Sequence, residues 1–196
     1  MKTYLLLLIP LCFSGCTLLK PVEDDPVRHL LESSVSGKTA TGSAPAVAIA
    51  RPSLPPYLER VELVTRTGDG RLQVHEKELW SEPLDAGIAR VIADNLRRLT
   101  GSTNVQPTAN FITRDYTDLV EIRIERFDPL PDGSLVLECT WKVQPINGGD
   151  ASPKPFKTIV PIQAGKAEGL NVGMSGRIVA MNEALARLSR TISKSL

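Results

Sequence analysis

Histidine occurs twice, at His29 and His75, and neither lies in a spacing such as H-E-x-x-H or beside a cysteine. That pattern offers no zinc centre and no other metal site. No G-x-S-x-G is present, and Gly173-Met174-Ser175-Gly176 has a different spacing. Gly165, Gly169, Gly173 and Gly176 lack the Lys-Ser/Thr ending of a phosphate-binding loop. Glu121, Glu125 and Glu138 fall on strand faces with Arg123 and Lys142, where cross-strand pairing on a solvated surface accounts for them. The reading is therefore of a chain that is not an enzyme, with no catalytic residue, cofactor or metal. An excess of either charge is missing too: 23 basic and 22 acidic side chains leave a net +1. Such a balance gives no electrostatic case for nucleic acid or an acidic membrane surface. The main apolar run, Leu5 to Ile9, falls well short of the roughly 20 residues that span a bilayer.

What the chain does have at its start is Lys2, that short apolar run, and Phe13-Ser14-Gly15-Cys16. A basic residue, a greasy segment and small residues before a cysteine make a secretory signal ending in a lipobox. Residues 1–15 are expected to be removed, leaving Cys16 as the first residue of the mature chain and the carrier of the lipid. Retention as a transmembrane anchor is the competing reading, and Phe13 stands where a lipobox usually has Leu. Thr17 follows Cys16, with no Asp to hold the molecule at the inner membrane. The expected location is the cell envelope, lipid-anchored to the periplasmic face of the outer membrane. Of the three cysteines, Cys12 leaves with the signal and Cys16 is acylated, so Cys139 remains as the only thiol. No intramolecular disulfide is then possible, and Cys139, inside an alternating strand, reads as a small buried hydrophobe.

Residues 16–45 read as the lipidated N-terminus and a flexible tether. Pro21, Glu23, Asp24, Asp25 and Pro26 precede a small, polar run from Ser33 to Ala46 without periodicity. Residues 46–196 form the predicted domain. Val47 and Ile49 mark a strand, and Val61, Leu63 and Thr65 a second, returning through Leu72 and Val74 after the turn Thr67–Gly70. A helix follows, with Ser81 or Glu82 as cap, Pro83 in the first turn, and Leu84, Ile88, Val91, Ile92, Leu96 and Leu99 as its apolar stripe. Gly101 stops it. Val120, Ile122 and Ile124, then Leu135 to Val143, then Phe156 to Ile162 predict an antiparallel meander. Met174, Ile178, Met181, Leu185, Leu188 and Ile192 mark a last helix from about Leu170 or Met174. The predicted class is α+β, a mostly antiparallel sheet with two amphipathic helices packed on one face.

Two segments are candidate partner-binding elements. In Pro55-Pro56-Tyr57-Leu58-Glu59-Arg60, a stiff backbone presents an aromatic and a leucine beside charges. Tyr57 either packs into the core from an edge connection or anchors a protein interface, where Tyr, Trp and Arg are enriched. In Leu79-Trp80-Ser81-Glu82-Pro83-Leu84, Trp80 either seals the helix against the sheet or serves such an interface. The candidate residues are Tyr57, Leu58, Arg60, Trp80 and Glu82.

The order of lipobox, polar tether, "LPPYLERVELVTR", "LWSEPLDAGIARVIADNL" and "VEIRIERFDPLPDGSLVLECTWKV" resembles the PqiC-like ABC-type transport auxiliary lipoproteins. The resemblance runs from about Ala46 to Leu196 and is most specific at Tyr57–Arg60 and Trp80–Leu84. It implies a first strand around Arg28–Leu31 within the tether. It also implies a non-enzymatic outer-membrane lipoprotein of an intermembrane lipid transport system. In that role it docks a periplasm-spanning MCE-domain protein and forms a homo-oligomer, with a ring as one form. Two alternatives stand: a carrier lipoprotein holding lipid against Met174, Ile178, Met181 and Leu185, and an outer-membrane assembly lipoprotein such as one serving lipopolysaccharide assembly.

Overall fold

The computed structural model describes residues 25–37, 46–110, 115–149, 151–163 and 172–196. Cys16, the signal segment, Gly165, Gly169 and Leu170 lie outside the described residues. Among the described residues, eight strands and two long helices make an α+β fold whose strands divide into two sheets. The larger sheet has the order β5-β2-β6-β7-β8, comprising Val105–Pro107, Val47–Ile49, Asp118–Pro129, Ser134–Pro145 and Lys154–Pro161. The smaller has the order β1-β4-β3, comprising Val27–His29, Leu72–Trp80 and Glu62–Arg66.

The α+β class is as the periodicities predict, but the single, mostly antiparallel sheet is corrected to two mixed sheets. β2 runs parallel to both β5 and β6, and β1 runs parallel to β4. Antiparallel pairing is confined to β3–β4, β6–β7 and β7–β8, the neighbours joined by short turns. Parallel partners need long crossovers, so no local turn signal announces them.

α1 (Leu84–Thr100) and α2 (Val172–Ile192) pack on the larger sheet and on each other. Their stripes are buried, with Ile88, Ile92 and Leu96 on α1 meeting Leu185, Leu188 and Ile192 on α2 in one core. Gly101 ends α1 in the left-handed region at φ 75°, its N–H donating to the Arg97 carbonyl. The cap at the other end differs from expectation. Pro83, not Ser81 or Glu82, holds the N-cap position, without a side-chain cap hydrogen bond.

The β6–β7 ladder shifts register between Ile124 and Arg126. An extra residue in one strand switches which face each later side chain takes. Val120, Ile122 and Ile124 point into the core before the shift, and Phe127 does so after it. Asp128 is thereby turned to the opposite side of β6, under the Pro55–Leu58 segment.

Residues 25–37, assigned to the tether by composition, belong to the folded body. β1 lies beside β4, with Val27 opposite Glu78 and His29 opposite Trp80. Leu31 and Val35 are buried, and the polar residues between them bond to the helices. Ser33 Oγ is 2.7 Å from Asn95 Oδ1 on α1, and the Glu32 N–H donates to Asn182 Oδ1 on α2 at 3.0 Å.

Candidate functional site

Three prolines shape the first wall of the site. Beyond β2 the chain follows the edge of β6, where the Ser53 N–H donates to the Ile122 carbonyl and the Ile124 N–H to the Ser53 carbonyl. Pro52 and Pro55 stop it from pairing further, because a proline donates no hydrogen bond and fixes φ. Pro56–Leu58 then forms a 3-10 turn, with the Leu58 N–H donating to the Pro55 carbonyl at 2.9 Å.

Tyr57 fastens this turn from behind. Its hydroxyl donates to Asp128 Oδ1 at 2.6 Å, and the Arg66 guanidinium lies 5.2 Å from the ring centroid. The Asp128 side chain has no solvent exposure; its Oδ2 accepts from Arg66 Nε at 3.0 Å and Arg126 Nη2 at 3.3 Å. A buried carboxylate is tolerated only when paired and hydrogen-bonded in this manner. Burial, and then the Asp128 carboxylate, push the Tyr57 hydroxyl up to about 12, so it stays a donor throughout the physiological range. The same contacts with Tyr57 and Asp128 raise Arg66 further.

The second wall is the start of α1. The Trp80 N–H donates to the Val61 carbonyl at 2.7 Å, tying the two walls together. The Trp80 side chain is 7 % exposed and lies in the core with Leu84 and Phe127, sealing α1 onto the sheets. Glu82 turns back along the helix to Arg90 at 2.5 Å, and Arg90 also donates to the Leu31 carbonyl.

Between the walls lies an open groove of about 400 Å³. Pro52, Leu54, Leu58, Arg60 and Val61 line one side, with Pro83, Leu84 and Asp85 on the other. Leu58 and Leu84 are buried at its base, whereas Val61 at the rim is 63 % exposed, a high value for a branched aliphatic residue. Arg60 stands at the rim, 3.3 Å from Glu62, and Arg51 meets Asp85 at 3.2 Å. The groove thus has an apolar base and charged rims. Among the described residues, no three His, Cys, Asp or Glu side chains are grouped to hold a metal ion.

The sequence-predicted residues fall in two layers. Arg60 faces solvent; Tyr57, Leu58, Trp80 and Glu82 lie partly or fully behind the surface and hold the walls in place. Val61, Asp85, Arg66 and Asp128 join the site through the fold and not through any motif. The spacing of Ile124 and Phe127, which breaks the alternation, is the signal that could have pointed to the bulge and hence to Asp128.

Solved structures share the fold of this chain. A crystal structure of an uncharacterised protein superposes with a TM-score of 0.63 at 19 % identity, covering 82 % of this chain and 97 % of its own. A Xanthomonas campestris protein of the DUF330 family superposes at 0.65 with 14 % identity, covering 85 % and 92 %. These likenesses show the fold alone. No curated protein matches the chain in sequence. The family model for the ABC-type transport auxiliary lipoprotein component matches residues 29–193, so the chain belongs to that family of transport auxiliary lipoproteins.

Proposed function

We propose that this chain is a non-enzymatic adaptor lipoprotein that docks a periplasm-spanning MCE-domain protein at the outer membrane. Cys16 carries the lipid anchor, and the groove beside Arg60 and Val61 receives the partner. The observation that carries this reading is the meeting of the two segments, Leu54–Val61 and Trp80–Asp85, around one open groove in a member of this family. In this role Arg60 and Val61 touch the partner, while Tyr57, Leu58, Trp80 and Glu82 fix the groove's shape. Several copies side by side, as in a ring, would present several grooves to one partner and raise its avidity without new contacts.

The carrier alternative is less well supported. Met174, Ile178, Met181 and Leu185 are buried against the sheets, and the space left beside Met174 and Met181 is about 20 Å³. That is room for about one water molecule, not an acyl chain. The test is crosslinking and affinity capture of the protein from its own envelope, followed by mass spectrometry. Recovery of an MCE-domain protein, lost on Val61→Asp with the fold intact, supports the docking role. Recovery of the chain alone with bound lipid contradicts it.

A further inference from the structure

The side of the molecule on which Asp25 and Pro26 lie also carries two exposed apolar residues of a hairpin. β1 runs parallel to β4, with Val27 level with Glu78, so the chain before Val27 comes from the side where β4 begins. β4 extends from Glu78 back to Leu72 on that side, about 20 Å of strand. The turn of the β3–β4 hairpin therefore lies on the same side as Asp25 and Pro26. Pro26 holds the preceding residue extended and cannot donate to a ladder, which favours an exit along the strand direction.

The end of the hairpin carries two exposed apolar side chains among polar ones, with Arg66 opposite Leu72 across the ladder. Leu72 is 40 % exposed and Val74 is 36 % exposed, two residues apart on one face, and Val74 pairs across the ladder with half-buried Val64. Asp69 and Arg71, both largely exposed, stand at the turn, with Asp69 at φ 64° and Gly70 at φ 73°. Apolar side chains beside a charged tip match the boundary between acyl chains and headgroups. Length agrees as well: the stretch from Thr17 to Asp25 spans at most about 30 Å, so a lipid on Cys16 brings a hairpin of about 20 Å to the bilayer surface.

We infer that the β3–β4 hairpin is the membrane-facing end of the domain, with Leu72 and Val74 seated in the bilayer interface. The inference rests on the lipid-anchor reading of Cys16. Two shallow side chains would bind a membrane weakly alone, but a tethered domain needs little added affinity to adopt one orientation. Seated this way, the domain holds its two sheets at a defined tilt to the membrane, so its groove faces a fixed direction.

The test uses the full-length lipidated protein in vesicles of phosphatidylethanolamine with phosphatidylglycerol. Buried Cys139 leaves single-cysteine labelling clean. A fluorophore on Leu72→Cys or Val74→Cys is expected to be quenched by lipid-borne quenchers, whereas one on Ile159→Cys, exposed on the outer strand of the larger sheet, is not. Vesicle flotation and the mass of the acylated Cys16 peptide are measured on the same samples. Acylated, floating protein whose Leu72 and Val74 labels stay as unquenched as Ile159 overturns the orientation and leaves the anchor standing. Absence of acyl mass overturns both. A fluorescence shift that grows with protein concentration in detergent, without vesicles, assigns the hairpin to a second copy and overturns the membrane contact.

Discussion

A carboxylate without solvent exposure depends on its partners, and Asp128 has three from three separate parts of the chain: Tyr57, Arg66 and Arg126. Asp128→Ala removes the anchor of the groove wall and leaves two arginines facing each other. It is expected to lower stability by about 3 kcal/mol in urea unfolding. Tyr57→Phe leaves Oδ1 short of a donor and should cost about 1–2 kcal/mol, with the double variant costing less than the sum. His75 gives a pH signature. Burial and the nearby Arg177 hold its imidazole below 6.5, outweighing the opposite pull of Glu78, while Thr65 Oγ1 lies 3.0 Å from Nε2. The unfolded chain therefore binds the proton first, so stability present above pH 6.5 is lost as pH falls through the folded value. Unfolding between pH 7 and about pH 5 should show this slope, and His75→Gln should flatten it. Cys139 is buried, and burial first and Glu125 second push its thiol up to about 12. Maleimide should leave it unmodified in the native protein and label it after denaturation.

Elements built from local signals are the ones that the sequence displays most openly. The α1 and α2 stripes repeat at helical spacing, and the β6–β7–β8 meander alternates between tight turns, so both patterns carry their own partners. β1, β2 and β5 have three residues each and pair in parallel with distant segments, so periodicity has too little length to register. The division into two sheets follows from those same distant pairings. The groove was half legible: the two segments stood out by proline and aromatic content, but their meeting depends on the Trp80–Val61 hydrogen bond and on Asp128. Glycines give two tests at this scale. Gly101→Ala places a side chain at φ 75° and should cost about 1 kcal/mol at the end of α1. Gly176, inside α2, is a close-approach point, because a Cβ there would overlap the Gln163 carbonyl oxygen. Gly176→Ala forces α2 away from the end of β8 and should cost about 2 kcal/mol, measured by thermal unfolding.

At the scale of the whole molecule, the strap from Leu31 to Val35 sets how far the domain could stand from the lipid anchor proposed at Cys16. Its serines looked like linker composition, yet Ser33 bonds to buried Asn95, which donates to Ser189, so both helices hold it. Polar residues read as solvated only while their buried partners are unknown. With that strap folded, and with the lipid anchor proposed at Cys16, the leash between anchor and domain shortens from residues 17–45 to residues 17–25, which span at most about 30 Å. On the proposed docking role, a short leash would keep the groove at high local concentration for a partner arriving at the membrane. Effective concentration falls roughly as the −3/2 power of linker length, so doubling the leash with Gly-Ser residues between Cys16 and Asp25 should lower partner occupancy about threefold. Quantitative capture from the envelope reads that loss directly, with acylation and folding of the lengthened chain checked alongside. Unchanged capture would mean that the partner finds the groove without help from the membrane. A leash effect together with an intact isolated-domain affinity would assign the gain to tethering, because lengthening the linker alters no residue of the groove.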